Sequence, residues 1–429
     1  MKSIRIKGKS VVSGEIVPGG NKNAALPIIA ASLLTNQPVT LHNIPCILDV
    51  NNMLAIAEMT GASITRSGSD VTIHAKDLNP DKLPLSLCAS LRASFIFAGT
   101  IAARCGYAKV GLPGGDFIGR RRLDSHYYGL EKLGILGEPK DGYSEFKVEK
   151  SGLHSADIFL DEASVTATEH IVIAAVLAPG KTYLRNAAME PHVQQLCEFL
   201  NAMGAKIEGI GSSTIIIHGV SSLKGTEFTI ESDYIEACGY MCMAAATGGE
   251  LLVTGTFPTR HFWMTRRIFE RFNIDFKLEP NRIFLPGNQN MKIKKEISGA
   301  IPVISDGPWP QFPSDMMSCL IVAATQAEGT VLFFEKMFES RIYFVDRLIA
   351  MGANAIVCDP HRVVISGPSM LTHSICSSPD IRAGMAMIAA AAMAHGESTI
   401  HNAETIFRGY ENLIEKLNAL HIPSELMES

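Results

Sequence analysis

The sequence predicts an α/β protein of two lobes, each built from three copies of one small unit, with helices inside and sheets outside. Three observations lead there. One helix–strand–turn–strand pattern recurs along the chain, a second helix–Gly–strand element recurs between its copies, and several helices are apolar nearly all round.

The clearest copies of the first pattern are MTGASITRSGSDVTIHA from Met59, AMGAKIEGIGSSTIIIHG from Ala202 and AMGANAIVCDPHRVVISG from Ala350. Gly suits the left-handed position that ends a helix, and the alternation of apolar and polar residues after it has the period of a half-buried strand. Weaker copies are KLGILGEPKDGYSEFKV from Lys132 and RFNIDFKLEPNRIFLPG from Arg271, while KLNALHIPSEL from Lys416 reads as a truncated sixth. The second element recurs as LAPGKTYLRN, TGGELLVTG, AEGTVLFFE and AHGESTIHN. The combined period of roughly 70 residues is too long for a solenoid turn, so each copy is a small α/β unit. HIVIAAVLA from His170 and AGMAMIAAAAMA from Ala383 are apolar on all sides, which places them inside their lobes.

The strand SIRIKG near the start has no partner in the unit that begins near Asn21, and the last unit is incomplete. Both ends of the chain are therefore expected to complete one lobe, residues 1–20 plus 231–429. Residues 21–230 form the second lobe and carry the loop 112–124.

Composition agrees with a large globular protein. The 429 residues suffice for two or three domains, and 47% are hydrophobic against 19% charged. A net charge of −5 gives no global attraction to nucleic acid, so an anionic ligand must be held by a local basic cluster. MKSIRIKGKS does not read as a signal peptide, and no apolar run reaches the roughly 18 residues a membrane helix needs. The nine Cys are odd in number and form no CxxC pairs, which fits a reduced, cytoplasmic protein without disulfides. Cys238 and Cys242 share a helical face but lack partners at zinc spacing, so they are expected in the core and no metal is implied.

Several loops carry candidate chemistry. GGNKNAALP from Gly19 sets Lys22 between two Asn residues before an apolar helix, which is an anion site if Lys22 faces inward and a solvated loop if it does not; Asn23 is a possible helix cap. VGLPGGDFIGRRRLDSH from Val110 places Asp116 beside Arg120, Arg121 and Arg122. Phe117 and Ile118 within it suit a loop that closes over a ligand and excludes water. PWPQFPSDM from Pro308 presents Asp315 before an apolar helix, where Ser314 or Asp315 is either a cap or, for Asp315, a base able to take a proton from a hydroxyl. Arg341 in FESRIY, Asp380 and Arg382 in SSPDIRAGM, and Arg408 in IFRGYENL stand at equivalent turns of different repeats. Guanidinium forks suit carboxylate and phosphate.

Together these motifs resemble the UDP-N-acetylglucosamine 1-carboxyvinyltransferase family over essentially the whole chain. NKNAALP, LRAS at Leu91, LPGGD with its downstream Arg, FPSDM, ESR, DIRAG and FRGYE stand in the family's order and spacing. The resemblance implies an inside-out α/β barrel of two lobes, each of three βαβαββ-type repeats, with the active site in the inter-lobe cleft. It implies a cytoplasmic enzyme of peptidoglycan synthesis that needs no cofactor and moves the enolpyruvyl group of phosphoenolpyruvate onto UDP-N-acetylglucosamine. On the matching positions Asp315 is the general base and Asp116 the loop acid. Lys22, Arg92, Arg121, Arg382 and Arg408 hold phosphoenolpyruvate. Asn23, Asp124, Ser164, Val165, Glu190 and Arg341 belong to the UDP-sugar or the cleft around it, and Asp380 lies beside Arg382.

The chain also departs from the family. Asp116 replaces the usual Cys, whose thiolate the epoxide antibiotic fosfomycin alkylates, so insensitivity to that compound is expected. As an acid Asp116 must carry a proton at the moment of transfer, although neighbouring arginines favour the ionised form. Arg120 and Arg122 stand where a small residue and Pro are usual, Leu48 replaces a basic residue, and Glu162 stands where Lys is common. These changes bear on the nucleotide. The alternatives are an enolpyruvyl transferase for another uridine nucleotide and a non-catalytic UDP-sugar-binding regulator. The shikimate-pathway synthase shares fold and reaction, but ASVTATEH replaces its phosphate loop and it lacks the LPGGD lid.

Overall fold

The structure, a computed structural model, describes residues 2–116 and 118–428. Phe117, one of the two apolar residues expected to favour loop closure, lies outside them. The chain forms two compact units: one comprises Met1–Gly19, Asp116–Arg120 and Glu231–Ser429, the other Gly20–Gly115 and Arg121–Ile230.

Each unit follows one plan. In the first, the helices Tyr234–Thr247, Ser314–Ala324 and Ile381–Met393 pack on one another, and almost every side chain on them is buried. In the second, Lys22–Ala31, Ile96–Cys105 and Val165–Ala175 do the same. A helix with no polar face must be covered on all sides, and burying each Leu, Ile, Val or Met contributes about 1.5–3 kcal/mol. Among the described residues three sheets accompany each trio of helices. Cys238 and Cys242 lie in the core of the first unit.

Most sheets repeat one arrangement. Gly329–Phe334 pairs parallel with Val303–Ser305 and antiparallel with Arg362–Gly367, which then forms a hairpin with Ala355–Asp359. The hairpin is the strand–turn–strand of the sequence repeat. A residue with positive φ precedes it in all six copies: Gly61, Gly134, Gly204, Asn273, Gly352 and His421. Gly and Asn enter that region at little cost, whereas His421 does so without that advantage. The truncated sixth copy is completed by the other end of the chain, because Ser424–Glu428 pairs antiparallel with Lys2–Lys7, which pairs in turn with Glu397–His401.

Two local expectations need correction. The loop 112–124 does not belong wholly to the second unit, since Asp116–Arg120 groups with the first. Ser340 N–H donates to the Ile118 carbonyl at 3.2 Å, and the Glu339 carboxylate accepts from Arg120 N–H at 3.2 Å. Lys22 and Asn23 are not in a loop but open the helix Lys22–Ala31, whose cap is Asn21, accepting from Ala24 N–H at 3.0 Å.

Candidate active site

In the first unit, Asp315 sits in the first turn of Ser314–Ala324, next to the proline-rich bend. It does not cap that helix. Its Oδ1 accepts from Arg341 Nη2 at 2.7 Å, and its Oδ2 accepts from Arg382 Nε at 3.1 Å, with Arg382 Nη2 at 3.0 Å. Both guanidiniums are almost wholly buried, while a quarter of the Asp315 side chain remains exposed. The carboxylate is thus held by two buried cations while its side chain keeps some access to solvent. Charge-assisted pairs of this kind are short and directional.

Arg341 and Arg382 are positioned in their turn. Asp380 caps Ile381–Met393 by accepting from the N–H groups of Arg382 and Ala383, and its Oδ1 lies 3.7 Å from Arg341 Nη1. Burial raises the pKa of Asp380 although Arg341 opposes the shift, and the nearby charge of Asp116 raises it further. Arg382 Nη1 donates to the Tyr410 hydroxyl at 3.2 Å. Burial would lower the pKa of Arg382, but Asp315 together with Tyr410 and Asp233 more than offsets this and raises it well above the ordinary value. Arg408, just past the short helix Ala403–Phe407, donates to the carboxylate of Asp116. Asp116, Asp315, Arg341, Asp380, Arg382 and Arg408 therefore share one unit, where Asp315, Arg341, Arg382 and Asp380 form one ion-pair cluster and Asp116 pairs with Arg408.

Ser314, next to Asp315, joins two acids that the sequence did not single out, Glu335 and Asp306. Ser314 Oγ donates to Glu335 Oε2 at 2.9 Å, and Glu335 Oε1 accepts from the N–H groups of Met337 and Phe338. Burial, helped by a hydrogen bond to and the charge of Asp306, raises the Glu335 pKa to about 9. A single acidic residue ending the apolar strand GTVLFF was the available signal.

The second unit holds the remaining candidates. Lys22 Nζ lies 2.8 Å from Asp49 Oδ2, and both side chains are almost entirely buried, so Lys22 is not a solvated residue. Arg92 Nη2 donates to the Arg122 carbonyl at 2.8 Å. Burial, helped by the charge of Arg121 and opposed by that of Glu162, lowers its pKa to about 10. Asn23 lies one residue beyond Lys22, and Asp124 opens Asp124–Lys132. Ser164 is the N-cap position of Val165–Ala175 but makes no side-chain cap bond. Glu190 precedes Pro191–Ala202, and its charge adds to the burial that raises the Glu169 pKa. Leu48 opens Leu48–Met59 and is about half exposed. No group of three or more His, Cys, Asp or Glu suited to a metal occurs among the described residues. No helix among them is long and apolar enough to cross a membrane.

The profile of the family described as EPSP synthase (3-phosphoshikimate 1-carboxyvinyltransferase) matches residues 6–417. The UDP-N-acetylglucosamine 1-carboxyvinyltransferase of Borrelia garinii subsp. bavariensis is 49% identical over 97% of this chain and 97% of its own. The protein of the same name from Bradyrhizobium diazoefficiens is 50% identical over 97% and 96%, and that of Treponema denticola is 49% identical over 99% of both chains. Among solved structures, the enolpyruvyl transferase NikO from Streptomyces tendae superposes with a TM-score of 0.88 at 21% identity, covering 100% of this chain and 99% of its own. EPSP synthase from Acinetobacter baumannii gives 0.75 at 19% identity, covering 100% of both. These two share the fold. With nearly half its residues identical to such relatives from end to end, the chain belongs to the UDP-N-acetylglucosamine 1-carboxyvinyltransferase family.

Proposed function

We propose that this chain transfers the enolpyruvyl group of phosphoenolpyruvate to the 3-hydroxyl of UDP-N-acetylglucosamine and releases phosphate, in the cytoplasm and as the first committed step of peptidoglycan synthesis. The observation that carries the reading is the Asp315 carboxylate, paired with the buried Arg341 and Arg382 while a quarter of its side chain stays exposed. A carboxylate that only neutralised two buried cations would gain nothing from that exposure.

The steps follow from the groups present. Asp315 takes the proton of the sugar hydroxyl as its oxygen attacks C2 of phosphoenolpyruvate, and C3 gains a proton from Asp116. The product of addition is a tetrahedral ketal. Loss of a C3 proton and of the phosphate then gives the enol ether. Lys22, Arg92, Arg121, Arg382 and Arg408 neutralise the phosphate and carboxylate, which carry charge throughout. Asn23, Asp124, Ser164, Val165, Glu190, Arg341 and Asp380 serve the nucleotide sugar and the walls of its site.

The pair between Arg408 and Asp116 suggests how the acid is released for its task. An incoming phosphate or carboxylate competes for the Arg408 guanidinium and so weakens its hold on Asp116. Phosphate release from phosphoenolpyruvate tests the assignment when the candidate acceptors are supplied one at a time. The reading requires release with UDP-N-acetylglucosamine, and release only with another uridine nucleotide or with a phosphorylated shikimate would replace it.

A further inference from the structure

The second unit contains a buried pair of histidines that the reaction above does not use. His126 Nδ1 and His170 Nδ1 are 2.9 Å apart, both rings are almost fully buried, and Phe95 packs edge-on against each. His170 Nε2 lies 2.6 Å from the backbone nitrogen of Gly99, and His126 Nε2 lies 3.1 Å from the hydroxyl of Thr166.

The direction of every bond in this chain is fixed by its first member. A backbone N–H can only donate, so His170 Nε2 must accept and the His170 proton must sit on Nδ1. That proton is donated to His126 Nδ1, which leaves the His126 proton on Nε2. His126 Nε2–H then donates to Thr166 Oγ1, and the Thr166 hydroxyl has only its own proton left to give. Protonating either ring would break the chain. Burial agrees, lowering the pKa of His170 to about 3 and that of His126 well below its usual value, the latter with help from His170 and Arg92.

The chain links the helices Ile96–Cys105, Asp124–Lys132 and Val165–Ala175 and ends in the first turn of the last. Gly99 is part of the device, since a Cβ there would stand 2.4 Å from the His170 ring. Thr166 is partly exposed, and among the described residues nothing accepts its proton. The adjoining helix start has no side-chain cap, and uncapped N–H groups favour negative charge.

We infer that Thr166 is a specificity-determining residue whose hydroxyl is held as a donor by His170 and His126 and binds an acceptor oxygen of the nucleotide sugar. The two histidines are positioning residues. The nature of the ligand rests on the proposed function; the direction of the chain does not.

Two measurements test it. Histidine 15N–1H correlation spectra of the parent at neutral pH should show His170 as the Nδ1–H tautomer and His126 as the Nε2–H tautomer. Calorimetric titration with UDP-N-acetylglucosamine should show Thr166→Val weakening binding about tenfold, the worth of one hydrogen bond to a charged acceptor. Thr166→Ser should restore it, with KM for phosphoenolpyruvate unmoved in both variants. Reversed tautomers, a charged ring, unchanged binding by Thr166→Val or an equal effect on phosphoenolpyruvate would each overturn the inference. A parent that binds UDP-N-acetylglucosamine without turning it over would remove the proposed function and leave this inference standing.

Discussion

Arg408 donates a charge-assisted hydrogen bond to Asp116, joining residues 292 positions apart in sequence within one compact unit. The loop that carries Asp116 is held beside it, through Ile118 to Ser340 and through Arg120 to Glu339. A carboxylate in this pair is both a weak nucleophile and an occupied one.

The first prediction concerns the epoxide fosfomycin. The parent should keep full activity and an unchanged intact mass after incubation with it. Asp116→Cys should retain measurable turnover and gain time-dependent inactivation with a covalent mass increase, because a thiolate opens the epoxide. A covalent adduct on Asp116 in the parent would contradict this.

The second concerns the base. Asp315→Asn keeps the shape of the side chain and removes its ability to take a proton, so kcat should fall by about 10²–10⁴, the usual worth of general base catalysis. The dissociation constant for UDP-N-acetylglucosamine should change only a few-fold. Unchanged kcat in single-turnover experiments would remove Asp315 from the role.

The third concerns the buried pair of Lys22 and Asp49. Asp49→Asn leaves a buried cation without its counter-charge and should cost about 3–5 kcal/mol in urea unfolding. The double variant Lys22→Met, Asp49→Leu should recover most of that stability, since an apolar pair needs no counter-charge, but not turnover. Recovery of turnover would show that Lys22 is structural only.

The fourth concerns Glu335, whose pKa burial and Asp306 raise to about 9. An unfolded Glu titrates near 4.3, so between these values the native state holds a proton that the unfolded chain has released. The stability contributed is complete at low pH and is lost as pH rises toward 9. Glu335→Gln holds no such proton. Relative to the parent it should gain stability as pH rises from 5 to 8.5, by about 1 kcal/mol or more at the upper end. A difference that stays flat with pH would show that the carboxyl is not protonated in the native state.

Much of the architecture was legible because it is periodic. The glycines at 61, 134, 204 and 352 marked four helix-to-hairpin turns, and Asn273 and His421 take the same backbone conformation with side chains that disguise it. The sixth hairpin was unreadable as such because its second strand is Lys2–Lys7, at the other end of the chain. Arg341, Asp380, Arg382 and Arg408 were legible as charged residues at equivalent turns of the repeats, and Asp315 as an acid between a proline-rich bend and an apolar helix.

What escaped the sequence was partnership. Lys22 reads equally as a loop lysine until Asp49, inside an ordinary amphipathic helix, is seen beside it. Glu335 looks like a strand-ending surface acid, yet it is fully buried against Ser314 and Asp306. His126 and His170 each sit at a helical position that a sequence assigns to the core, and only their 2.9 Å separation makes them a directed chain. The boundary of the loop 112–124 was missed for a similar reason, because hydrogen bonds to the backbone of Ile118 and Arg120 tie that part of it to the first unit.

The most direct test of the account is turnover in D2O with phosphoenolpyruvate and UDP-N-acetylglucosamine, followed by mass spectrometry of the nucleotide product. Addition with protonation at C3 followed by elimination predicts an enolpyruvyl-UDP-N-acetylglucosamine that carries deuterium on its vinyl carbon. A vinyl group free of deuterium, or no enolpyruvyl nucleotide at all, would contradict it.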